Sequence, residues 1–241
     1  MSLARVYSRA AVGVAAPEVT VEVHVGGGLP RISMVGLPQT AVRESKDRVK
    51  AALLNAGFRF PDGLVTIALA PADLPKEGSR FDLPIALGIL AASGQVTDHR
   101  FEDFEFVGEL SLSGGLNPVR GVLPVAVQAG TAGRGLVVPA ASGAEAALAR
   151  NDRTWCAGSL LAVVAWLHGK SKLDRAASVE RLPGTNGKDL ADVYGQARAR
   201  RALEVAAAGS HNLLYSGPPG TGKTMLASRL PGILPPMSEQ E

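Results

Sequence analysis

Cysteine is almost absent from this sequence: Cys156 is the only one among 241 residues. A single cysteine excludes an internal disulfide framework and a cysteine-cluster zinc site, and it predicts a reducing, cytoplasmic setting. Long apolar runs are also missing, since none approaches the roughly 18 to 20 residues that cross a membrane. The N-terminal residues lack the apolar core and cleavage site of a secretory signal. We therefore expect a cytoplasmic protein with no membrane partner.

Neither sign of charge predominates, because 25 lysine and arginine residues face 22 aspartate and glutamate residues and the net charge is only +3. The basic excess lies entirely after residue 168. A dedicated DNA-binding surface usually shows a clustered basic patch, so this imbalance permits DNA as a partner without demanding it. The one basic cluster is the run RARR at 198–201. It could contact DNA phosphate or a neighbouring subunit, but a solvated helix face is the favoured interpretation.

Apolar residues make up 46% of the chain, enough to fill a core, and their periodicity alternates between strand and helix patterns. We predict strands at 19–25, 31–38, 64–71 and 135–140 and helices at 40–57, 81–94, 122–132 and 159–170. This alternation predicts an α/β (α+β) fold. The polar stretch 170–189 contains Pro183, Gly184 and Gly187 and is interpreted as a linker. It separates a domain at 1–169 from a second one at 190–241.

The stretch SGPPGTGKTM, residues 216–225, contains the pattern G-x-x-x-x-G-K-[ST]. In such a loop, backbone amides surround the α- and β-phosphates of ATP, Lys223 reaches the β- and γ-phosphates, and the Thr224 hydroxyl ligates Mg²⁺. A chance match in a glycine-rich chain is the alternative. The apolar HNLLYSG before the loop predicts a strand, and KTMLASRL after it predicts a helix, which is the context that the motif requires. The predicted ATP-binding residues are Gly217, Pro218, Pro219, Gly220, Thr221, Gly222, Lys223 and Thr224.

Binding and hydrolysis of ATP make different demands on the sequence. A P-loop ATPase also needs a carboxylate at the end of a later strand and usually an arginine from a neighbouring subunit. The 17 residues after Thr224 contain neither a second strand nor such a carboxylate. We expect this chain alone not to hydrolyse ATP. A P-loop strand without parallel neighbours has unpaired edges, so we also expect residues from about 190 onward to be poorly packed or to adopt their fold only through a partner.

Two long stretches resemble a known family. The segment ADVYGQARARRALEVAAAGSHNLLYSGPPGTGKTMLASRLPGILPPMSEQE (191–241) resembles the opening of the AAA+ ATPase module of the bacterial Mg-chelatase-like proteins of the ComM/YifB family. ALAPADLPKEGSRFDLPIALGILAASGQ (68–95) resembles that family's N-terminal domain. The resemblance implies a Lon-protease-like (ribosomal S5 domain 2-like) domain followed by a truncated P-loop AAA+ module. By the same resemblance, Val193, Tyr194 and Gln196 contact the adenine ring; the alternative is that this stretch packs the first helix of the module.

The function implied by the resemblance is that of a hexameric, ATP-driven DNA motor for branch migration during natural transformation. Its cofactors are ATP and Mg²⁺, its partners are further copies of the chain, and DNA is a partner of the full-length protein. One alternative is a truncated, non-catalytic binding or assembly module with a vestigial nucleotide site. Another is a role like that of a magnesium chelatase subunit, which is weaker because that subunit lacks a Lon-like domain.

Proteolysis is not expected of the first domain. Lon-type cleavage needs a serine nucleophile and a lysine base, but alignment with the Lon motifs places Arg80 and Leu123 at these two positions. The charged cluster of Lys76, Glu77, Arg80 and Asp82 is interpreted as a solvated ion-pair loop, with an interface or a ligand contact as the alternative. No metal site is predicted apart from Thr224, because none of the four histidines has a second ligand at metal-binding spacing. They are His24, His99, His168 and His211.

Overall fold

The computed structural model describes residues 2–36, 40–96, 99–177 and 188–234. The chain divides into two compact units, Met1–Val179 and Glu180–Glu241, called the first and the second unit below. The division falls inside the polar segment 170–189. Part of that predicted linker, residues 178–187, lies outside the described residues. None of the described helices is long and apolar enough to cross a membrane.

The first unit is built from strands and helices that alternate along much of the chain. Its described strands are β1 Ser2–Arg9, β2 Glu18–Gly26, β3 Arg31–Val35, β4 Leu64–Ala70, β5 Phe104–Phe106, β6 Glu109–Leu110, β7 Leu116–Asn117, β8 Gly135–Pro139, β9 Thr154–Ala157 and β10 Asp174–Arg175. Its described helices are α1 Thr40–Asn55, α2 Asp82–Ala92, α3 Val122–Thr131, α4 Gly143–Ala147 and α5 Leu160–Leu167. The four strands and four helices predicted for this part of the chain are confirmed, with ends that differ by a few residues. Residues 37–38 of the strand predicted at 31–38 lie outside the described residues.

Eight of the described strands form one mixed sheet, in the order β10-β9-β8-β5-β1-β2-β4-β3. Parallel pairing joins β9 to β8, β8 to β5, β5 to β1, and β4 to β3. The β1–β2, β2–β4 and β9–β10 pairs are antiparallel, and β6 and β7 form a separate antiparallel pair. The predicted α/β class is therefore confirmed. The Lon-protease-like assignment within that class stays a prediction.

Strand β1 lies near the middle of the sheet but was not predicted. It pairs with β2 on one side and with β5 on the other, with Val6 opposite Val21 and Tyr7 opposite Glu105. Its inner face carries small residues such as Ala4 and Ser8 around the buried Val6, whereas Leu3 on the opposite face is exposed. Alternation of large apolar residues with polar ones is the usual signal of a half-buried strand, and β1 does not show it.

Helix α2 is the centre of the main hydrophobic core. All but one of its residues are buried, and it packs on β1, β2 and α1. The helix approaches the sheet closely at Gly88, where a Cβ atom would lie 2.6 Å from Cγ2 of Val23. A side chain at this position would therefore push α2 away from β2.

Strand β8 is buried on both faces, which explains its continuous apolar sequence. Val137 belongs to the main core, whereas Leu136 and Val138 face a second cluster formed with α3. Helix α3 contributes Val122, Val125, Ala126 and Ala129, which have the spacing of one helical face.

The charged segment between β4 and α2 differs from its prediction. Lys76 and Asp82 are fully buried and Arg80 is 5% exposed, so a solvated ion-pair loop is wrong. Asp82 and Arg80 find partners in distant parts of the chain: Nε of Arg48 donates to the Asp82 carboxylate over 2.9 Å, and Nη2 of Arg80 donates to the carbonyl oxygen of Arg120. Lys76 donates to the carbonyl oxygen of Pro71, and burial lowers the pKa of its ammonium group.

The second unit contains helices α6 Ala197–Gly209, α7 Lys223–Ala227 and α8 Leu230–Ile233. Its apolar cluster is small; the buried members are Leu190, Val193, Leu203 and Leu226. The strand predicted for 211–217 is wrong, because residues 188–234 contain no strand and this segment therefore has no ladder partner. Leu214 within it is 88% exposed.

Candidate nucleotide-binding loop

The loop between residue 216 and helix α7 turns sharply at two glycines. Gly220 and Gly222 both have φ +80°, a backbone conformation that side chains other than glycine rarely adopt. Gly222 also meets neighbouring side chains, since a Cβ atom there would lie 3.1 Å from Nε2 of Gln196 and 3.3 Å from Cε of Met225. These two positions therefore favour glycine because of their backbone conformation, and a side chain at residue 222 would also displace the ends of Gln196 and Met225 slightly.

The ammonium group of Lys223 lies against the loop backbone. Its Nζ donates to the carbonyl oxygens of Gly217, over 2.9 Å, and Pro218, over 2.6 Å. The hydroxyl of Thr221 also donates to the Pro218 carbonyl, over 3.0 Å. The folded loop therefore holds a cation beside the backbone of residues 217–221, where the motif places the phosphates.

Thr224, the predicted Mg²⁺ ligand, is the second residue of α7, and it is exposed. Pro219 and Gly220 are also exposed. Metal ligation by a threonine in this motif needs a hydroxyl that solvent and nucleotide can reach, and the exposure of Thr224 fits that requirement.

The predicted adenine-contacting residues separate into two groups. Val193 is 2% exposed and belongs to the apolar cluster of the second unit, so its side chain serves packing, the alternative that the sequence left open. Tyr194 is 93% exposed. Gln196 lies next to the loop, because its Nε2 donates to the carbonyl oxygen of Thr221 over 3.4 Å. Adenine contact by Tyr194 and Gln196 stays a prediction.

The arginines of the run at 198–201 lie in the first half of α6 and do not share one environment. Arg198 is exposed. Arg201 is exposed as well, and its Nη1 lies 3.0 Å from the Glu204 carboxylate. Arg200 is half-buried, and its Nε has no hydrogen-bond partner among the described residues.

In the first unit, the two positions aligned with a Lon nucleophile and base hold no group that can perform those roles. Arg80 is buried just before α2, and its Nη2 donates to the carbonyl oxygen of Arg120 over 2.6 Å. Leu123 lies in the first turn of α3. Ser79, one position before Arg80, donates its hydroxyl hydrogen to the Glu109 carboxylate.

Arg80 lines a cavity of about 390 Å³ that sequence reasoning did not find. We call it the Arg80 cavity; its polar lining residues are Glu77, Ser79, Arg80, Glu109 and Arg120. The sequence drew attention to Glu77 and Arg80 as charged neighbours. It gave no signal for Glu109 and Arg120, because only the folded chain brings their segments beside residue 80.

The described residues contain no group of three histidine, cysteine, aspartate or glutamate side chains that could hold a metal ion. The side chain of His99 lies outside the described residues. Cys156 is half-buried, and burial raises the pKa of its thiol, which disfavours the reactive thiolate.

Two models of known families match the chain. One, described as subunit ChlI of Mg-chelatase, matches residues 21–142, which is half of the chain. The other, described as magnesium chelatase, subunit ChlI, matches residues 189–241 and includes the G-x-x-x-x-G-K-T loop. The mixed α/β fold and this loop thus place the chain in the class of Mg-chelatase-like proteins.

Individual relatives resemble the chain over its whole length. The uncharacterized protein YifB of Salmonella typhimurium is 52% identical over 241 residues, and competence protein ComM of Haemophilus influenzae is 52% identical over 246. The uncharacterized protein YifB of Escherichia coli is 49% identical over 241 residues. Each alignment covers 100% of this chain and 48% of the relative, so the chain spans about half the length of the curated relatives it matches. The chain belongs to the ComM/YifB family of Mg-chelatase-like proteins.

Proposed function

We propose that residues 217–224 bind ATP with Mg²⁺. The observation that carries this proposal is the position of Lys223, whose ammonium group is held on the Gly217 and Pro218 carbonyls inside the loop. A phosphate group entering the loop replaces these neutral acceptors with a charged one, which forms a stronger hydrogen bond with an ammonium group. Thr224 then supplies the hydroxyl ligand of Mg²⁺.

The test of this proposal is a titration of the 241-residue chain with a fluorescent ATP analogue in the presence of Mg²⁺. Lys223→Ala is expected to weaken binding at least about tenfold, because it removes a charge-assisted hydrogen bond to phosphate. Lys172→Ala is the matched control, since Lys172 is an exposed lysine of the first unit. Equal affinities of the Lys223→Ala variant and the unchanged chain would contradict the proposal.

We further propose that the full-length protein is a cytoplasmic ATP-driven DNA motor that promotes branch migration. Family membership supports this proposal, and so does the printed name of one relative, competence protein ComM. The exposed Arg198 and Arg201 on α6 give the second unit cations that DNA phosphates or a neighbouring subunit can reach.

The motor is tested with the gene product at its full genomic length and a labelled four-way DNA junction. ATP-dependent conversion of the junction to product duplexes is expected, and Lys223→Ala is expected to abolish it. A junction that stays intact with MgATP, although the protein binds ATP and DNA, would rule out the motor function.

Assembly into a ring of identical subunits is part of the same proposal, because AAA+ hydrolysis usually takes an arginine from the neighbouring subunit. Analytical ultracentrifugation of the full-length protein should show a nucleotide-dependent oligomer near six subunits, as the resemblance implies. A monomer at all nucleotide concentrations would contradict this arrangement.

A second candidate function is a passive binding or assembly module. One observation favours it: residues 211–217, which precede the loop, form no strand, and Leu214 is 88% exposed. ATP binding without hydrolysis by the full-length protein, with or without DNA, would favour this module over the motor.

A further inference from the structure

Arg80 is a buried cation without a carboxylate partner. It is 5% exposed, and no carboxylate of the described residues forms a salt bridge with it. Nη2 donates to the neutral carbonyl of Arg120, but the buried Nη1 has no hydrogen-bond partner in the part of the chain that the structure describes. A buried charge left unpaired is costly, so such groups usually have a partner that compensates them.

Two acidic side chains of this region, Glu109 on the cavity lining and Glu145, whose charge acts on Arg80, already accept hydrogen bonds from other donors. Glu109 accepts hydrogen bonds from the Ser79 hydroxyl and from Nδ2 of Asn117, the latter over 3.1 Å. Glu145 accepts from the backbone amides of Val122 and Leu123, over 2.7 and 3.1 Å, at the start of α3. Burial lowers the pKa of the Arg80 guanidinium, and the charge of Glu145 offsets that shift only in part.

The Arg80 cavity has the size and charge to hold the missing partner. Its volume of about 390 Å³ lies within the range of small-molecule sites, so it accommodates more than a bare ion. Arg120 adds a second cation, and its side chain is exposed. Glu77, also exposed, lies on the same lining and disfavours a ligand that is negative throughout.

We propose that the Arg80 cavity binds a small molecule through an oxyanion, a carboxylate or a phosphate, that pairs with the Arg80 guanidinium. A guanidinium presents its N–H groups in a planar fork that matches both oxyanions. Arg120 strengthens the attraction from the cavity lining. This site lies wholly in the first unit and does not depend on ATP binding at residues 217–224.

The experiment uses the 241-residue chain with Lys223→Ala, which removes the phosphate-binding lysine of the second unit. The chain is labelled with ¹⁵N-arginine, and the Arg80 Nε–H resonance is followed by NMR while inorganic phosphate or acetate is added. A saturable shift of this resonance is expected with at least one of the two anions. Saturation with phosphate alone identifies a phosphate-bearing ligand, and saturation with acetate alone a carboxylate; both results support the proposal.

Two variants and a control make the test specific. Arg80→Gln removes the reporting resonance, so anion binding to this variant is followed at the Arg120 Nε–H resonance on the same cavity lining, and its shift should no longer saturate. Arg120→Gln, followed at the Arg80 resonance, should weaken binding roughly tenfold, the loss of one charged contact. Arg120→Gln provides a second test if Arg80→Gln does not fold. The Arg80 side chain donates to the backbone carbonyl of residue 120, and glutamine at that position keeps this carbonyl. Arg5→Gln, at an exposed arginine away from the cavity, should leave the affinity unchanged.

No saturable shift of the Arg80 resonance with either anion would overturn the proposal. Unchanged binding in Arg80→Gln, or in Arg120→Gln if the first variant is unfolded, would overturn it as well.

Discussion

At the scale of single residues, the interior of the first unit contains a salt bridge between Arg9 and Glu105. Arg9 at the end of β1 donates from Nε and Nη2 to the two carboxylate oxygens of Glu105, over 2.6 and 2.8 Å. The Glu105 side chain is fully buried, and burial raises the pKa of its carboxyl group while Arg9 and Arg134 oppose the shift. The carboxylate therefore depends on its arginine partners to stay charged inside the protein.

Arg9→Met is expected to destabilise the first unit by about 3 to 5 kcal/mol, because it leaves a buried carboxylate without its closest partner. Arg5→Met is the matched control: Arg5 pairs with Glu22 on the surface, where an ion pair contributes about 0 to 1 kcal/mol. Urea unfolding followed by the fluorescence of Trp155 and Trp166 measures both. Equal losses in the two variants would show that burial of the Arg9 pair has no special role.

Glu109 supplies a prediction for pH dependence. The Ser79 hydroxyl, followed by the Asn117 amide, stabilises the carboxylate and lowers the pKa of Glu109 below its ordinary value. A carboxyl group with a lower pKa in the folded than in the unfolded chain adds stability above its unfolded pKa. That contribution is lost as the pH falls through the folded pKa.

Ser79→Ala is therefore expected to raise the pKa of Glu109 toward its ordinary value and to reduce the loss of stability on the acid side. A ¹³C-carboxyl NMR titration of the unchanged chain and the variant measures the pKa directly. Ser113→Ala is a suitable control, because the hydroxyl of Ser113 bonds to Ser111 and not to Glu109. An identical Glu109 titration in Ser79→Ala would contradict the assignment.

At the scale of elements, the approach of α2 to the sheet sets a steric limit. A methyl group on residue 88 would lie 2.6 Å from Cγ2 of Val23, a branched side chain in the central strand β2. Gly88→Ala is expected to destabilise the first unit by roughly 1 to 3 kcal/mol, although alanine favours a helix more than glycine does.

Gly158→Ala is the control for Gly88→Ala, because no atom lies within 4 Å of the added methyl group at residue 158. Its effect should stay within about 0.5 kcal/mol. Urea unfolding followed by tryptophan fluorescence compares the two variants. A stable Gly88→Ala variant would mean that α2 and β2 pack less closely than the structure shows.

The sequence predicted those strands and helices whose buried residues follow a regular spacing of apolar residues along the chain. Strands β2 and β4 alternate buried and half-buried residues along most of their length, and α2 is apolar after its first residue, Asp82, so both kinds of element were predictable. Strand β1 was not, because its burial comes from pairing with β2 and β5. The strand expected at 211–217 failed for the converse reason: its apolar residues fit a strand, but no described strand pairs with them.

The candidate loop was predictable because its residues are contiguous, and the Arg80 cavity was not because its residues are brought together by folding. Lys223, Gly217 and Pro218 lie within seven positions of one another, so sequence spacing alone brings them together. The burial of Asp82 depends on Arg48, and that of Arg80 on the carbonyl of Arg120. Such partners depend on tertiary structure and leave no local pattern.

At the scale of the whole molecule, both tryptophans lie in the first unit and Lys223 lies in the second. Lys223→Ala is therefore expected to leave the urea midpoint of tryptophan fluorescence unchanged while it weakens nucleotide binding. The free energy of unfolding obtained from that transition should change by no more than about 0.5 kcal/mol. A large shift of that midpoint would mean that the two units do not unfold independently.

Amide hydrogen exchange of the 241-residue chain with and without MgATP tests nucleotide binding at residues 217–224 most directly. We predict slower exchange at these residues when MgATP is present, and no such change in Lys223→Ala. Without nucleotide, the amides of 211–217 should exchange rapidly, because this segment forms no strand. Unchanged exchange at 217–224 with saturating MgATP, or equal protection in Lys223→Ala, would contradict a nucleotide site at this loop.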